Sequence, residues 1–403
     1  MPEGGRTPVR LNLLLISAKQ VEHFQWVEQA FEAENPDIDL IIEQFPGSSL
    51  KDFEIKLRLR FSSRQAPEVF HVHENVAAEL ARLGLLAPAP PPVERFVQEE
   101  SRTEMIRQAP YFGGTCYGIT SDAGPTVLYY NKDLFREVGL DPEQPPRTWD
   151  ELLAYAERLT LRAPDGRLTR AGLSLRKTGY KPGTAEKWFT FLYAAGGEAF
   201  NEDGTRTRFN TPAGRAALDL YHTVLFDKKL DSVDLEGDQQ GFGQGRVGMF
   251  VREVHVIRWL REHYPDLDFG VAPIPAKTAS VSAGSAYLYV VSKDAPDKDA
   301  AWRVVSFLMR DDVYGRYASI GGVIPTTRAV AERPEYRADP LLQVFLNQEM
   351  RAIKPFPRVG RASELLGAYL ERFCYGHLSA EEMLQRAEKD IDALLESNAD
   401  FGF

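Results

Sequence analysis

The first ninety residues alternate between strand-like and helix-like segments, and this order limits the possible folds more than any other feature. Residues 11–16 and 38–42 are apolar runs of strand length. Between them Phe24, Val27 and Phe31 recur at helical spacing, and the pattern stops at an Asn-Pro pair. A second helical pattern, a third strand "EVFHV" and a short helix follow. This β-α-β-α-β order predicts an α/β fold with a largely parallel sheet.

Polar side chains follow the three predicted strands at the points where open α/β sheets bind ligands. In such sheets the ligand lies outside the carboxyl ends of the strands. The residues at these ends are Ser17-Ala18-Lys19, Gln44-Phe45 and His73-Glu74-Asn75. We therefore expect a polar binding site along this edge of the first sheet.

The composition excludes several classes of function. A net charge of -10 disfavours nucleic acid as a partner, because duplex binding needs a basic surface. No apolar run approaches the roughly 20 residues of a membrane-spanning helix.

Residues 1–7 are rich in Gly and Pro and are interpreted as a flexible leader without an export signal. Cys116 and Cys374 are interpreted as buried free thiols, although their spacing alone leaves a disulfide open.

Motifs for catalysis, metals or cofactors are weak. "GQGRVG" at residues 243–248 matches Gly-x-Gly-x-x-Gly, but a strand-like segment follows where a dinucleotide loop needs a helix. His71 and His73 share one face of a strand, yet no third metal ligand has a recognisable spacing. Residues 201–204 begin like a calcium loop but lack its bidentate Glu. We expect no metal, no cofactor and no catalytic residue, although counting acids leaves a glycosidase-type carboxylate pair open.

The order of longer segments resembles a known family. The segments that carry the resemblance are "PEVFHVHENVAAELARLGLL", "VLYYNKDLFREVGLDPEQPPRTWDELLAYAERL", "FGQGRVGMFV", "FGVAPIP", "GGVIPTT" and "SAEEMLQRAEKDIDALL". Together they resemble the extracellular solute-binding proteins of ABC importers, in the maltose-binding-like carbohydrate group. Each segment is weak alone, and their common order and spacing make the resemblance specific.

The resemblance implies a two-lobed periplasmic binding protein fold of type II. Each lobe is then a mostly parallel sheet flanked by helices, with the ligand cleft between the lobes. The implied N-terminal lobe is residues 8–123 plus 284–325, and the implied C-terminal lobe is residues 124–283 plus 326–403. Chain crossings near residues 122–126, 282–285 and 321–325 are expected to act as hinges.

The resemblance also implies that the chain captures a mono- or oligosaccharide and delivers it to the transmembrane subunits of an ABC permease. The resemblance implies a monomer that lies in the periplasm or outside the cell. A lipid anchor that is present before processing is one way to hold it there. The ligand contacts carried over by position are Lys19, Gln44, Phe45, His73, Glu74, Asn75, Asp122, Thr184, Glu186, Trp188, Arg252, Glu253, His255, Ser285, Arg358 and Arg361.

Two features leave the ligand open. Arg252, Glu253 and His255 occupy positions where relatives often have an aromatic residue, which makes an acidic sugar or a glycerophospho-compound an alternative ligand. Trp188 follows a polar loop and is expected to be an aromatic platform in the cleft. A carbohydrate-active enzyme and a signalling receptor of the same fold are the remaining alternatives.

Overall fold

A computed structural model describes residues 6–13, 18–44, 50–235, 238–353 and 358–397. Its strands are β1 (Thr7–Leu13), β2 (Ile38–Gln44), β3 (Val69–His73), β4 (Tyr111–Phe112), β5 (Thr115–Cys116), β6 (Gly118–Pro125), β7 (Val127–Asn131), β8 (Leu161–Arg162), β9 (Leu168–Ser174), β10 (Val247–Arg252), β11 (Phe269–Ala272), β12 (Val281–Val291) and β13 (Glu349–Ala352).

The helices alternate with these strands along most of the chain. They are α1 (Ala18–Glu34), α2 (Leu50–Ser62), α3 (Glu74–Arg82), α4 (Pro91–Glu100), α5 (Glu104–Gln108), α6 (Lys132–Glu137), α7 (Trp149–Leu159), α8 (Lys181–Ala194), α9 (Pro212–His222), α10 (Asp238–Gly243), α11 (His255–His263), α12 (Lys298–Leu308), α13 (Asp311–Gly321), α14 (Arg328–Ala331), α15 (Pro334–Arg337), α16 (Pro340–Asn347), α17 (Val359–Cys374) and α18 (Ala380–Glu396). A π-helical turn, Thr223–Asp227, follows α9.

The first sheet has the strand order β13-β12-β3-β1-β2, and β6 also pairs with β12. β1 pairs in parallel with β2 and β3, as the alternating pattern predicted. β12 runs antiparallel to β3 and β6 and parallel to β13. Phe24, Val27 and Phe31 of α1 are buried in the core beside this sheet, where each contributes about 1.5–3 kcal/mol.

The second sheet has the strand order β11-β7-β10-β9-β8. Only the β9–β10 pairing is parallel, and the other three described pairings are antiparallel. The prediction of mostly parallel sheets therefore describes the start of the first sheet better than the second sheet. Both sheets are flanked by helices, and the mixed α/β class is confirmed.

Helix starts follow the capping residues in the sequence. Asn131, which ends β7, accepts the backbone N–H of Leu134 at 3.0 Å and so begins α6. Thr211 caps α9 in the same way, with Pro212 at the first helical position. α12 and α13 are separate helices because Arg310, between them, has an extended backbone conformation.

The chain crosses between the two sheets at a buried group of hydroxyls. β6 of the first sheet ends one residue before β7 of the second sheet begins, and Thr126 lies between them. Its Oγ1 lies 3.1 Å from the hydroxyls of both Thr190 and Ser282. Ser282 also accepts the backbone N–H of Thr126 at 2.9 Å. These contacts tie the crossing strand β6–β7 to β12 and α8.

The two cysteines are free thiols, which confirms that interpretation. Cys116 and Cys374 are both buried and unpaired. Burial raises the pKa of Cys116 to about 11 and the pKa of Cys374 to about 12. Both groups are therefore neutral thiols at physiological pH.

Candidate functional site

A cleft of about 710 Å³ is lined by elements of both sheets. One wall is formed by the end of β3, the start of α3, and parts of β6 and β12. The other wall is formed by the loop before α8, by α8 itself, by the turn from β10 to α11 and by α17. A volume of this size is typical of small-molecule binding sites in proteins.

Many of the predicted contact residues line this cleft. They are His73, Glu74, Asn75, Asp122, Glu186, Glu253, His255, Ser285, Arg358 and Arg361. The strand-end rule predicted the group from β3 to α3. The remaining residues were carried over from the family resemblance, and the fold brings them to the same cleft from distant parts of the chain.

The junction of β3 and α3 presents polar atoms that lack partners. His73 accepts the backbone N–H of Asn75 at its Nδ1, 3.2 Å away, and this contact begins the helix. Glu74 is 1% exposed, and its Oε1 accepts the backbone N–H of Ala286 at 3.2 Å. Among the described residues, Glu74 Oε2 and Asn75 Oδ1 are buried without a hydrogen-bond partner. Such atoms are available to bind the donors of a ligand.

Asp122 lies on the same wall, opposite Tyr287 in the β6–β12 pairing. Burial and then the nearby charge of Glu253 raise the pKa of Asp122 to about 7. Burial also raises the pKa of Glu74 to about 8, and the charge of Glu186 adds to that rise. Both acids on this wall therefore lie in surroundings that disfavour their ionised forms.

The opposite wall contains an ion-paired cluster around Lys187. The ammonium of Lys187 is 2% exposed, contacts Glu253 Oε1 and lies 3.6 Å from Glu186 Oε1. Arg252 Nε lies 2.9 Å from the other oxygen of Glu253. Burial alone would raise the pKa of Glu253, but Lys187 and Arg252 hold it well below its usual range. Glu253 is therefore ionised, and these two cations neutralise it.

Glu74→Gln is expected to raise the melting temperature of the ligand-free protein, and to raise it more at pH 8 than at pH 5. The usual pKa of a Glu is 4.5, and burial raises that of Glu74 to about 8. Between these values the unfolded chain ionises while the folded protein resists ionisation, so stability falls as pH rises. Glutamine removes this penalty. Thermal melts at both pH values measure the difference.

The control for this pH effect is Glu79→Gln on the same helix. Glu79 is half-buried and pairs with Arg58 at 3.2 Å, so it has the partner that Glu74 lacks. We expect this variant to leave the shape of the pH profile unchanged. An equal gain at pH 5 and pH 8 for Glu74→Gln would contradict the assignment of the penalty to Glu74.

The structure places Trp188 in the core, so the prediction of a cleft platform is wrong. The side chain is 0% exposed and packs edge-to-face against Phe209, with ring centroids 5.7 Å apart. It lies on the face of α8 that turns away from the cleft. Thr184 is also fully buried, and its hydroxyl donates to the Tyr180 carbonyl at 3.4 Å. Neither residue can touch a ligand in this arrangement.

Other predicted contacts lie outside the cleft lining or are occupied. Lys19 is exposed, lies 3.9 Å from Glu262 and is not one of the residues that line the cleft. The guanidinium of Arg252 points to Asp238 and Glu253, and it does not line the cleft. Arg358 lines the cleft but donates to the Leu394 carbonyl at 2.6 Å. The side chain of Gln44 and the whole of Phe45 lie outside the described residues.

Several residues that line the cleft are absent from the predicted contacts, and Tyr180 and Arg176 are the two that bear on the ligand. Tyr180 is 37% exposed and lines the cleft at the start of α8. Arg176 also lines it, and its Nε has no hydrogen-bond partner among the described residues. A Cβ at Gly183 would come within 3.3 Å of the Arg176 guanidinium, so the glycine makes room for it. The "GYKPG" loop was the available signal, since it holds an aromatic between turn residues.

The weak motifs have structural explanations. The "GQGRVG" segment joins the end of α10 to β10, so no helix follows its glycines as a dinucleotide loop requires. His71 is buried with its Nε2 2.7 Å from Ser121 Oγ. Within the described ranges, no three His, Cys, Asp or Glu side chains are arranged to hold a metal ion.

Comparison with known families finds one match over most of the chain. The family model described as "Bacterial extracellular solute-binding protein" matches residues 25–314. A Brucella abortus (strain 2308) protein named as a binding protein is 26% identical over 398 residues, which are 96% of this chain and 93% of that protein. The sn-glycerol-3-phosphate-binding periplasmic protein UgpB of Escherichia coli K12 is 25% identical over 326 residues, 75% of this chain and 70% of that protein.

Solved structures share the fold at low sequence identity. A solute-binding protein of Thermotoga lettingae bound to alpha-D-tagatose has a TM-score of 0.83 and 22% identity, covering 96% of this chain and 100% of that chain. The cyclic alpha-maltosyl-1,6-maltose binding protein of Arthrobacter globiformis has a TM-score of 0.81 and 22% identity, covering 97% and 100%. These likenesses extend over nearly the whole of each chain.

Proposed function

Because the chain belongs to the family of bacterial extracellular solute-binding proteins, we propose that it captures a carbohydrate and delivers it to the permease of an ABC importer. The cleft carries this proposal, because it combines a typical ligand volume with buried polar atoms that lack partners. Carboxylate and amide oxygens are the acceptors that sugar hydroxyls need. The ligand leaves the cleft chemically unchanged.

The rival ligand is a phosphate-bearing compound, since UgpB is named as an sn-glycerol-3-phosphate-binding protein. A phosphate needs cations that are available to it. Arg252 and Lys187 are already engaged by Asp238, Glu186 and Glu253. Arg176 faces the cleft with an Nε that is unpaired among the described residues, but it acts on Glu186. The first wall presents the acids Glu74 and Asp122, so we favour a donor-rich ligand over an anion.

Tyr180→Ala is expected to weaken carbohydrate binding roughly tenfold to thirtyfold and to leave the melting temperature of the ligand-free protein nearly unchanged. The exposed ring can cover the apolar face of a sugar, and about 60–80 Å² of covered surface is worth about 1.5–2 kcal/mol. Calorimetric titration and thermal melts of the same variant measure both quantities. Tyr375→Ala, which removes an exposed tyrosine outside the cleft, is the matched control. Unchanged affinity in Tyr180→Ala would remove this residue from the site.

The proposed lobes are residues 8–123 plus 284–325 and residues 124–283 plus 326–403. β13 lies within residues 326–403, yet it pairs with β12 of the first sheet. Rotation about the crossings would bring the two walls together around a ligand. We expect small-angle scattering to give a smaller radius of gyration at saturating ligand than without ligand. An unchanged radius at confirmed saturation would contradict closure.

The proposed location is the periplasm or the cell exterior, in keeping with the family. In the part of the chain that the structure describes, no helix has the length and apolar character needed to cross a membrane. We propose that the protein is a monomer and that it binds the transmembrane subunits of its permease. We propose that, before the chain is processed, a lipid anchor keeps it near the membrane.

A thermal-shift screen over neutral sugars, sugar acids and sn-glycerol 3-phosphate tests the proposed function. A ligand at 100 times its dissociation constant stabilises the folded state by about 2.7 kcal/mol. The bound sugar is then incubated with the protein and analysed by mass spectrometry. Stabilisation by a sugar that is recovered intact supports the proposal. Turnover of sugar in excess over protein would identify an enzyme instead, and stabilisation by the phosphate compound alone would overturn the carbohydrate assignment.

A further inference from the structure

Four of the acids that line the cleft are referred to as the carboxylate cluster: Glu74, Asp122, Glu186 and Glu253. The first two belong to the wall of α3 and β6, and the last two belong to the wall of α8 and β10. The negative charge of Glu186 acts on Glu74, and that of Glu253 acts on Asp122. Acidic side chains from the two walls therefore face each other across the opening.

The cations near this cluster are unevenly distributed. Lys187 and Arg252 contact only the second-wall acids of the cluster, and Arg252 also pairs with Asp238. Arg176 acts on Glu186, also on the second wall. His255 adjoins Glu253 and acts on it from the start of α11. On the first wall Arg58 pairs with Glu79 at 3.2 Å, but no ion pair among the described residues neutralises Glu74 or Asp122.

The buried carboxyl of Glu74 gives the first wall an unused acceptor for a hydrogen-bond donor of the ligand. Glu74 is 1% exposed, yet its Oε2 has no hydrogen-bond partner among the described residues. The carboxylate of Asp122 likewise makes no hydrogen bond or ion pair within the described ranges, and the residue is only partly exposed. An acid buried without a partner is costly, and a ligand that supplies both donors and positive charge removes that cost.

We infer that the ligand carries a protonated amino group that binds within the carboxylate cluster, against Glu74 and Asp122. This inference rests on the proposed function, since it names the class of carbohydrate as an amino sugar. An ammonium group brings three donors and a positive charge, whereas a hydroxyl brings one donor. A phosphate at the same place would bring further negative charge to two acids whose ionised forms burial already disfavours.

Matched sugars test the inference by calorimetric titration at pH 6.5. The probes are glucosamine, glucose and N-acetylglucosamine, together with the β-1,4-linked disaccharides of the same three units. We expect the amine member of at least one set to bind at least tenfold more tightly than its hydroxyl and acetamide counterparts. We also expect its binding to release protons in buffers of different ionisation enthalpy, because Glu74 and Asp122 must ionise to pair with the ammonium.

Two variants locate the effect. Glu74→Gln and Asp122→Asn keep the shape of the side chain and remove its charge, and each is expected to reduce the preference for the amine at least fivefold. Thermal melts confirm that both variants fold. Glu99→Gln, which removes an exposed carboxylate of α4, is the control for net charge and is expected to leave the preference unchanged. A preference that persists in both cleft variants would overturn the inference.

The failure of the inference and that of the proposed function give different results. If neutral or acetylated sugars bind as tightly as the amines, carbohydrate binding stands and the amine inference is overturned. If no sugar of either size binds while sn-glycerol 3-phosphate does, both are overturned. Tighter amine binding without proton release would also count against the inference, because it would place the ammonium away from the buried acids.

Discussion

Replacing Lys187 with methionine is expected to destabilise the protein by about 3–5 kcal/mol, because the change leaves two acids without their shared cation. The ammonium is 2% exposed and lies between Glu186 and Glu253. Removing one partner of an ion pair with a buried cation costs far more than the pair itself contributes. Here it leaves two adjacent acids, 18% and 29% exposed, that repel each other. Denaturant unfolding at neutral pH measures the loss as a lower midpoint.

The matched control is Lys181→Met, six residues earlier on the same helix. The Lys181 side chain is 29% exposed and pairs with Glu371, so its removal leaves one acid, which water can solvate, and no second acid beside it. Pairs of this kind contribute about 0–1 kcal/mol. Similar losses for the two variants would show that the burial of Lys187 does not set the cost. A loss below about 1 kcal/mol for Lys187→Met would contradict the buried-pair description.

The wall of β3 and α3 could be predicted from sequence because its signals are local. A strand of buried residues, a polar end and a helical pattern lie within twenty residues, and the strand-end rule then places His73, Glu74 and Asn75. The capping contact of His73 with Asn75 spans two residues, so it needs no knowledge of the rest of the chain.

The opposite wall could not be predicted in the same way because its contacts join distant segments. Lys187 meets Glu253 across 66 positions of sequence. Its adjacent acid Glu186 gives no useful signal, since neighbours in a helix do not normally face each other. The orientation of α8 on the sheet decides which residues face the ligand. That orientation depends on core packing, and it places Tyr180 in the cleft and Trp188 in the interior.

Trp188→Ala is expected to destabilise the protein by about 3–5 kcal/mol and to leave ligand affinity of the folded fraction nearly unchanged. The indole is 0% exposed and lies among aromatic neighbours, including Phe189 and Phe209. Truncating a packed tryptophan leaves a cavity that the surrounding side chains only partly fill. Denaturant unfolding of the ligand-free variant measures the stability, and calorimetric titration at a temperature where it remains folded measures the affinity.

Trp259→Ala is the matched control, because this second indole is only partly buried on α11 and stacks on His263 with ring centroids 4.5 Å apart. Its loss removes less buried surface, so a smaller cost is expected. Trp188→Ala and Tyr180→Ala are also expected to have opposite effects. The core variant loses stability and keeps its ligand affinity, whereas the cleft variant loses affinity and keeps its stability. If Trp188→Ala instead weakened binding at nearly normal stability, the indole would have to face the ligand, and the orientation of α8 described here would be wrong.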